Sequence, residues 1–179
     1  MLDLPFNPLK RAKEVEGLVM EDLARKYYRF RPSRYYGGIA TVGIIGCPFL
    51  CAYCWYYGRN LHPERSRDRY YSPGEVGNRL LHIAKRGGFN KIRISGAEPI
   101  LGKQSFEHLY QVLQDISNAD PGLDFILETN GLLLGYEQGF VQRLFQTPIL
   151  TQAFSQGPYL TRAVVSLFDC MRSLLLFCP

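Results

Sequence analysis

The chain has 179 residues, 46% of them hydrophobic, which suits one globular domain with a sizeable core. No apolar run approaches the ~18 residues that a membrane span needs, and Met1–Pro5 lacks the basic and apolar regions of a secretory signal; the expectation is a cytoplasmic protein with no membrane partner. The formal charge of +5 is uneven: residues 1–90 hold 15 Lys/Arg against 8 Asp/Glu, and residues 91–179 hold 6 against 8. A basic N-terminal half is either a solvated surface or a face for RNA, nucleotide or an acidic partner, and no RNA-binding motif accompanies it.

Residues 9–29 read as a helix, because Val15, Val19, Leu23 and Tyr27 form an i, i+4 ladder with charges between them. Residues 30–38 read as a basic, aromatic connector. A first buried strand follows at 39–46, and Cys47, Cys51 and Cys54 come directly after it. Next is a long polar segment with Arg59, His62, Arg65, Arg67 and Arg69. Ser72-Pro73-Gly74-Glu75 has the pattern of a capped helix start, Val76, Leu80, Ile83 and Ala84 supply the apolar stripe, and Gly87-Gly88 stops it. A second strand is expected at 91–95, a helix at 105–117, a third strand at 124–127, a helix at 137–145 and a weaker fourth strand at 162–167. His82 and His108 fall within the helices and read as surface residues. Alternating strands and helices imply parallel strands with crossover helices. Active sites of such folds lie beyond the C-terminal ends of the strands, and three unusual loops here follow strand ends: 46–54, 96–99 and 128–131.

Five cysteines, three of them within eight residues, do not fit a disulfide framework. The spacing C-x3-C-x2-C points to metal ligation, with thiolates as soft ligands for iron or zinc. Three thiolates on a cubane [4Fe–4S] cluster leave one iron without a protein ligand. The alternative is a Cys3His zinc site completed by His62, although the seven residues between Cys54 and His62 lie outside common zinc spacings. Cys170 and Cys178 are too few for an auxiliary cluster and read as free cysteines.

Cys47-x3-Cys51-x2-Cys54, with Tyr53 before the last cysteine, resembles the cluster signature of the radical S-adenosylmethionine superfamily. Gly96-Ala97-Glu98-Pro99 is similar to that family's Gly-Gly-Glu loop, with Ala97 in place of the second glycine. Glu128-Thr129-Asn130-Gly131 resembles the Asp-Thr-Asn-Gly of glycyl-radical activating enzymes and their relatives. The resemblance covers roughly residues 38–135. It implies a partial parallel (βα) barrel. Residues 1–37 would be an N-terminal helical extension, and residues 38–179 a core that is C-terminally incomplete, with about four βα units against a usual six.

The resemblance also implies roles. Cys47, Cys51 and Cys54 would ligate the cluster, and the fourth iron would bind the amino and carboxylate groups of S-adenosylmethionine. Tyr53 would lie against the adenine, or else be a core aromatic like Trp55. Gly96, Ala97 and Glu98 would hold the methionine amino group, or Glu98 would only cap the next helix. Glu128 and Asn130 would line the cofactor pocket, with a solvated loop as the other reading for Glu128. Ser166 would contact the ribose or carboxylate, or serve structure alone. The implied activity is reductive cleavage of S-adenosylmethionine to a 5′-deoxyadenosyl radical that takes hydrogen from a substrate, in an oxidoreductase or an activating enzyme. An electron donor of flavodoxin or ferredoxin type is implied, and the substrate, a protein or nucleic acid among the candidates, is not named by these residues. The alternative is an iron–sulfur module that holds a cluster without completing catalysis.

Overall fold

The computed structural model describes residues 6–51, 53–147 and 150–155. Four strands run parallel in the order β3 (Ile39–Ile44), β5 (Lys91–Ser95), β6 (Asp124–Thr129), β7 (Leu150–Ser155). Three further strands extend the β3 edge antiparallel: β2 (Ala24–Ser33) pairs with β3, and β1 (Met20–Glu21) and β4 (Arg69–Tyr71) both pair with β2. The result is a curled, open half-barrel, in agreement with the incomplete parallel barrel expected.

Alternation along the strands decides which side chains face the helices. Val42 and Ile44 of β3, Ile92 and Ile94 of β5, and Phe125 and Leu127 of β6 form one apolar layer. Two crossover helices cover it. Helix α3 (Pro73–Gly87) contributes Val76, Leu80 and Ala84, and α4 (Lys103–Ala119) contributes Phe106, Leu109, Leu113 and Ile116. The expected capping box is present: Ser72 Oγ accepts from Glu75 N–H, the Glu75 carboxylate accepts from Ser72 N–H, and Gly88 closes the helix at φ +62°.

The N-terminal helix is shorter than expected. Helix α1 (Pro8–Val19) ends before Leu23. Asp22, at φ +49°, makes the turn between β1 and β2, and Lys26-Tyr27-Tyr28-Arg29-Phe30 is strand rather than helix or connector. Aromatic-rich sequence favours a pleated, half-buried surface, and strand pairing outweighs the i, i+4 ladder. Leu23, the ladder's third member, is 41% exposed, while Val15 and Val19 stay buried against Ile45 and Leu101. A second correction concerns His108, which is buried rather than on the surface; His82 is exposed as expected.

The fourth parallel strand is β7 at Leu150–Ser155. The expected strand at 162–167, with Ser166, Cys170 and Cys178, lies outside the described residues. Among the described residues, no helix is long and apolar enough to cross a membrane.

Candidate functional site

The three strand-end loops meet on one rim and are bonded to one another. The Glu98 backbone N–H donates to Gly46 C=O at 3.2 Å, which joins the second loop to the start of the cysteine loop. The Glu98 carboxylate accepts from the Thr129 hydroxyl at 2.6 Å, from Asn130 N–H at 2.6 Å and from Ile100 N–H at 3.0 Å. Glu98 therefore does more than cap a helix: with 2% exposure it is the buried centre of all three loops. Burial, partly offset by these hydrogen bonds and by Arg25, lifts its pKa to about 7.

Arg25 supports the same place from below. Its fully buried guanidinium donates to the carbonyls of Pro99 and Glu98 at 2.6 Å each. Burial lowers its pKa, and the nearby Glu98 carboxylate works against that shift. Gly96 has φ +100°, and a Cβ there would lie 2.9 Å from the Tyr28 hydroxyl oxygen and 3.2 Å from the Ile44 carbonyl oxygen, so the turn needs glycine. The Ala97 side chain packs against the core.

Cys47, Cys51 and Cys54 are free thiols of intermediate burial, held by tight backbone turns: Cys54 N–H to Cys51 C=O at 3.0 Å and Tyr57 N–H to Cys54 C=O at 3.1 Å. Two side-chain amides reach the sulfurs. Asn130 Nδ2 lies 3.8 Å from Cys47 Sγ, and Asn60 Nδ2 lies 3.5 Å from Cys54 Sγ. Burial raises the Cys47 thiol to about 12, against the lowering effect of the Phe49 backbone hydrogen bond. A thiol so disposed is a poor free nucleophile, whereas cationic irons would draw off its proton.

Among the described residues, no three His, Cys, Asp or Glu side chains converge on one ion. His62, the alternative fourth ligand, has its Nδ1 3.0 Å from Glu64 Oε1. Three thiols with amide donors at two sulfurs suit an iron–sulfur cluster.

Tyr53 is 64% exposed and Trp55 98% exposed, so neither is a core aromatic. Asn130 Oδ1 accepts from Leu132 N–H at 2.9 Å, just ahead of α5 (Leu132–Tyr136), whose N-cap is Gly131. Glu128 lies in the sheet rather than in a solvated loop, and it pairs with Arg93 at 2.8 Å. Arg93 also donates to Thr41 Oγ1 at 3.2 Å and faces the rings of Tyr35 and Tyr36. This polar strip runs across β3, β5 and β6 on the face opposite the helices.

Sequence reasoning missed Arg25, Asn60 and Arg93. Arg25 and Arg93 read as ordinary strand or helix charges, and Asn60 was one polar residue in an arginine-rich connector. No local pattern marks any of them, because their partners are set by the fold: Arg25 reaches Glu98 and Pro99, Asn60 reaches Gly46 and Gly96, and Arg93 reaches Thr41 and Glu128.

Comparison with known proteins points to one chemistry. Over 110 residues the chain is 29% identical to a GTP 3′,8-cyclase of Actinobacillus succinogenes, covering 62% of this chain and 30% of that protein. It is 35% identical over 88 residues to a probable GTP 3′,8-cyclase of Methanococcus vannielii, covering 49% of this chain and 26% of the relative. A probable GTP 3′,8-cyclase of Methanocaldococcus jannaschii is 34% identical over 88 residues, with the same coverage of each chain. The chain thus spans less than a third of the length of these curated relatives, which are cyclases rather than glycyl-radical activating enzymes. The family model of the Radical SAM superfamily matches residues 41–149, over half of the chain and all three rim loops, and the chain belongs to this superfamily, whose members use a [4Fe–4S] cluster together with S-adenosylmethionine.

Proposed function

We propose that this chain carries the S-adenosylmethionine-cleaving part of a radical enzyme. The observation that carries the reading is Glu98, which bonds the cysteine loop, its own loop and the 129–130 loop into one rim. In this reading Cys47, Cys51 and Cys54 each hold one iron of the cluster. The Gly96 and Ala97 carbonyls of the turn would meet the methionine amino group, the Glu98 carbonyl being taken by Arg25, and the exposed Tyr53 would lie against the adenine. Glu98 and Arg25 keep the turn in place, and the curled sheet excludes water from below. A [4Fe–4S] cluster held there by Cys47, Cys51 and Cys54 would supply the one-electron reduction that splits S-adenosylmethionine for hydrogen abstraction from a substrate. The GTP named for the relatives is not carried over, because the matched stretch is the one that holds these cofactor loops.

A second reading is an iron–sulfur module that binds the cluster without completing catalysis; it rests on the matched stretch being the one that carries the cysteine loop. One experiment separates the two. The chain is reconstituted anaerobically with iron and sulfide, given S-adenosylmethionine and a strong reductant, and assayed for bound iron and 5′-deoxyadenosine. Four irons and 5′-deoxyadenosine support the first reading; four irons alone support the second. One zinc and no iron overturns both.

A further inference from the structure

Asn60 is nearly fully buried, at 4% exposure, in the short helix α2 (Tyr57–Leu61) that follows the cysteine loop. Its amide makes three defined contacts. Oδ1 accepts from Gly46 N–H at 3.2 Å, and Nδ2 donates to Gly96 C=O at 3.1 Å and to Cys54 Sγ at 3.5 Å. The orientation of the amide follows from its partners: a backbone N–H can only donate and a carbonyl can only accept, so a flipped amide would oppose both. Each of the two Nδ2 hydrogens then has one acceptor, the Gly96 oxygen or the Cys54 sulfur. The helix is fixed from outside, where Arg11 donates to the Asn60 and Leu61 carbonyls at 3.4 and 3.2 Å.

One side chain thus touches the residue before the first cysteine, the third cysteine's sulfur and the turn of the second loop. Building on the cluster ligation proposed above, we infer that Asn60 is a positioning residue that sets the reduction potential of the cluster. The reduced cluster carries one more negative charge, shared with its thiolates. An N–H donor aimed at a ligating sulfur stabilises that charge, and hydrogen bonds to the sulfurs are one of the protein's means of tuning the potential. The donation is held in a buried site, where it acts with little screening by solvent. The same amide keeps the Gly96 carbonyl in register with Cys54, which couples the sulfur's surroundings to the turn.

The test measures the midpoint potential of the one-electron couple in the reconstituted full chain, by electron paramagnetic resonance without S-adenosylmethionine. Asn60→Leu removes the donor at similar volume. Asn60→Asp keeps the acceptor for Gly46 N–H and replaces the donor by an acceptor, and it serves if the leucine variant does not fold. Both are expected to move the potential negative, with about a tenfold fall in the reduction equilibrium constant, or about 59 mV for one electron, for Asn60→Leu and more for Asn60→Asp. Arg11→Met loosens α2 without touching the amide; it is expected to lower thermal stability and leave the potential unchanged. A wild-type potential in Asn60→Asp with full iron content overturns the assignment, as does an equal shift in Arg11→Met. Failure of the wild-type chain to take up iron at all removes the ligation reading itself, a result visible before any variant is compared.

Discussion

The Glu98 carboxylate accepts the backbone N–H of Asn130 at 2.6 Å and so ties together loops 32 residues apart. Its other oxygen takes the Thr129 hydroxyl and Ile100 N–H, so both oxygens act as acceptors. Glu98→Gln turns an amide N–H toward the Asn130 N–H and leaves a buried donor unpaired. A stability loss of about 1–3 kcal/mol is expected, read as a lower thermal midpoint of the cluster-free protein. A midpoint equal to wild type would show that the rim does not depend on this bond.

Stability is expected to depend on pH through two buried groups of opposite sign. His108 Nδ1 lies 2.7 Å from the Leu23 carbonyl, which can only accept, so Nδ1 carries the proton and Nε2 accepts from Tyr27 Oη at 2.7 Å. Burial holds its pKa near 4, below the ordinary 6.5. The unfolded chain then binds more protons between about pH 6.5 and 4, so stability from this group is lost as pH falls through that window, by up to about 3 kcal/mol. Glu98 runs the other way: its folded pKa of about 7 lies above the ordinary 4.5, so its contribution is full below 4.5 and lost as pH rises to about 7. Thermal midpoints across pH 4–8 should show a shallower acid limb in His108→Gln and a flatter decline toward pH 7 in Glu98→Gln. Parallel curves for wild type and both variants would refute these linkages.

The Arg93–Glu128 pair is buried on both sides, with side-chain exposures of 9% and 10%. Removing one partner leaves an uncompensated charge inside the half-barrel, and Glu128→Leu is expected to cost about 3–5 kcal/mol. The double variant Arg93→Met with Glu128→Leu should recover much of that loss, because an apolar pair has no charge to desolvate. Chemical denaturation of the three proteins gives the coupling directly, and additive losses would contradict it.

Gly96→Ala is expected to destabilise the turn by about 1–2 kcal/mol, through both its positive φ and the close Tyr28 hydroxyl. Tyr28→Phe in the same chain should relieve only the contact with the hydroxyl and recover part of the loss. Full recovery would assign the whole cost to Tyr28, and none would assign it to the backbone.

Each of Cys47, Cys51 and Cys54 is expected to be necessary for cluster assembly, so that alanine at any one lowers bound iron well below four per chain after reconstitution. A Cys51→Ala protein that retains the full cluster would remove Cys51 from the ligand set. Thermal melting of the metal-free variants should stay close to wild type, since all three thiols are only partly buried.

Much of the site was legible locally. The three cysteines, the Gly96-Ala97-Glu98 turn and the Thr129-Asn130-Gly131 segment each follow a strand whose apolar run marks it, and Ser72 and Gly88 carry the caps of α3. The misreadings share one cause. Val15, Val19, Leu23 and Tyr27 satisfy a helical period over a stretch where the chain turns at Asp22 and pairs with β3. Leu150-Thr151-Gln152-Ala153-Phe154-Ser155 lacks a β-branched run, yet it forms a strand because β6 offers a parallel edge to it.

What the sequence alone determined is the chemistry of short spans: three thiols in eight residues, glycine where a turn needs positive φ, and an acid after a strand. Spacing and local propensity act over a few residues, so they are visible without a fold. Only the tertiary structure decided that Arg25 supports the Glu98 loop, that Glu128 is neutralised by Arg93, that His108 is buried, and that Asn60 joins Cys54 to Gly96. Those partners are brought together by strand register and helix packing, and the energy of a buried hydrogen bond depends on where its atoms end up rather than on how far apart they lie in the chain.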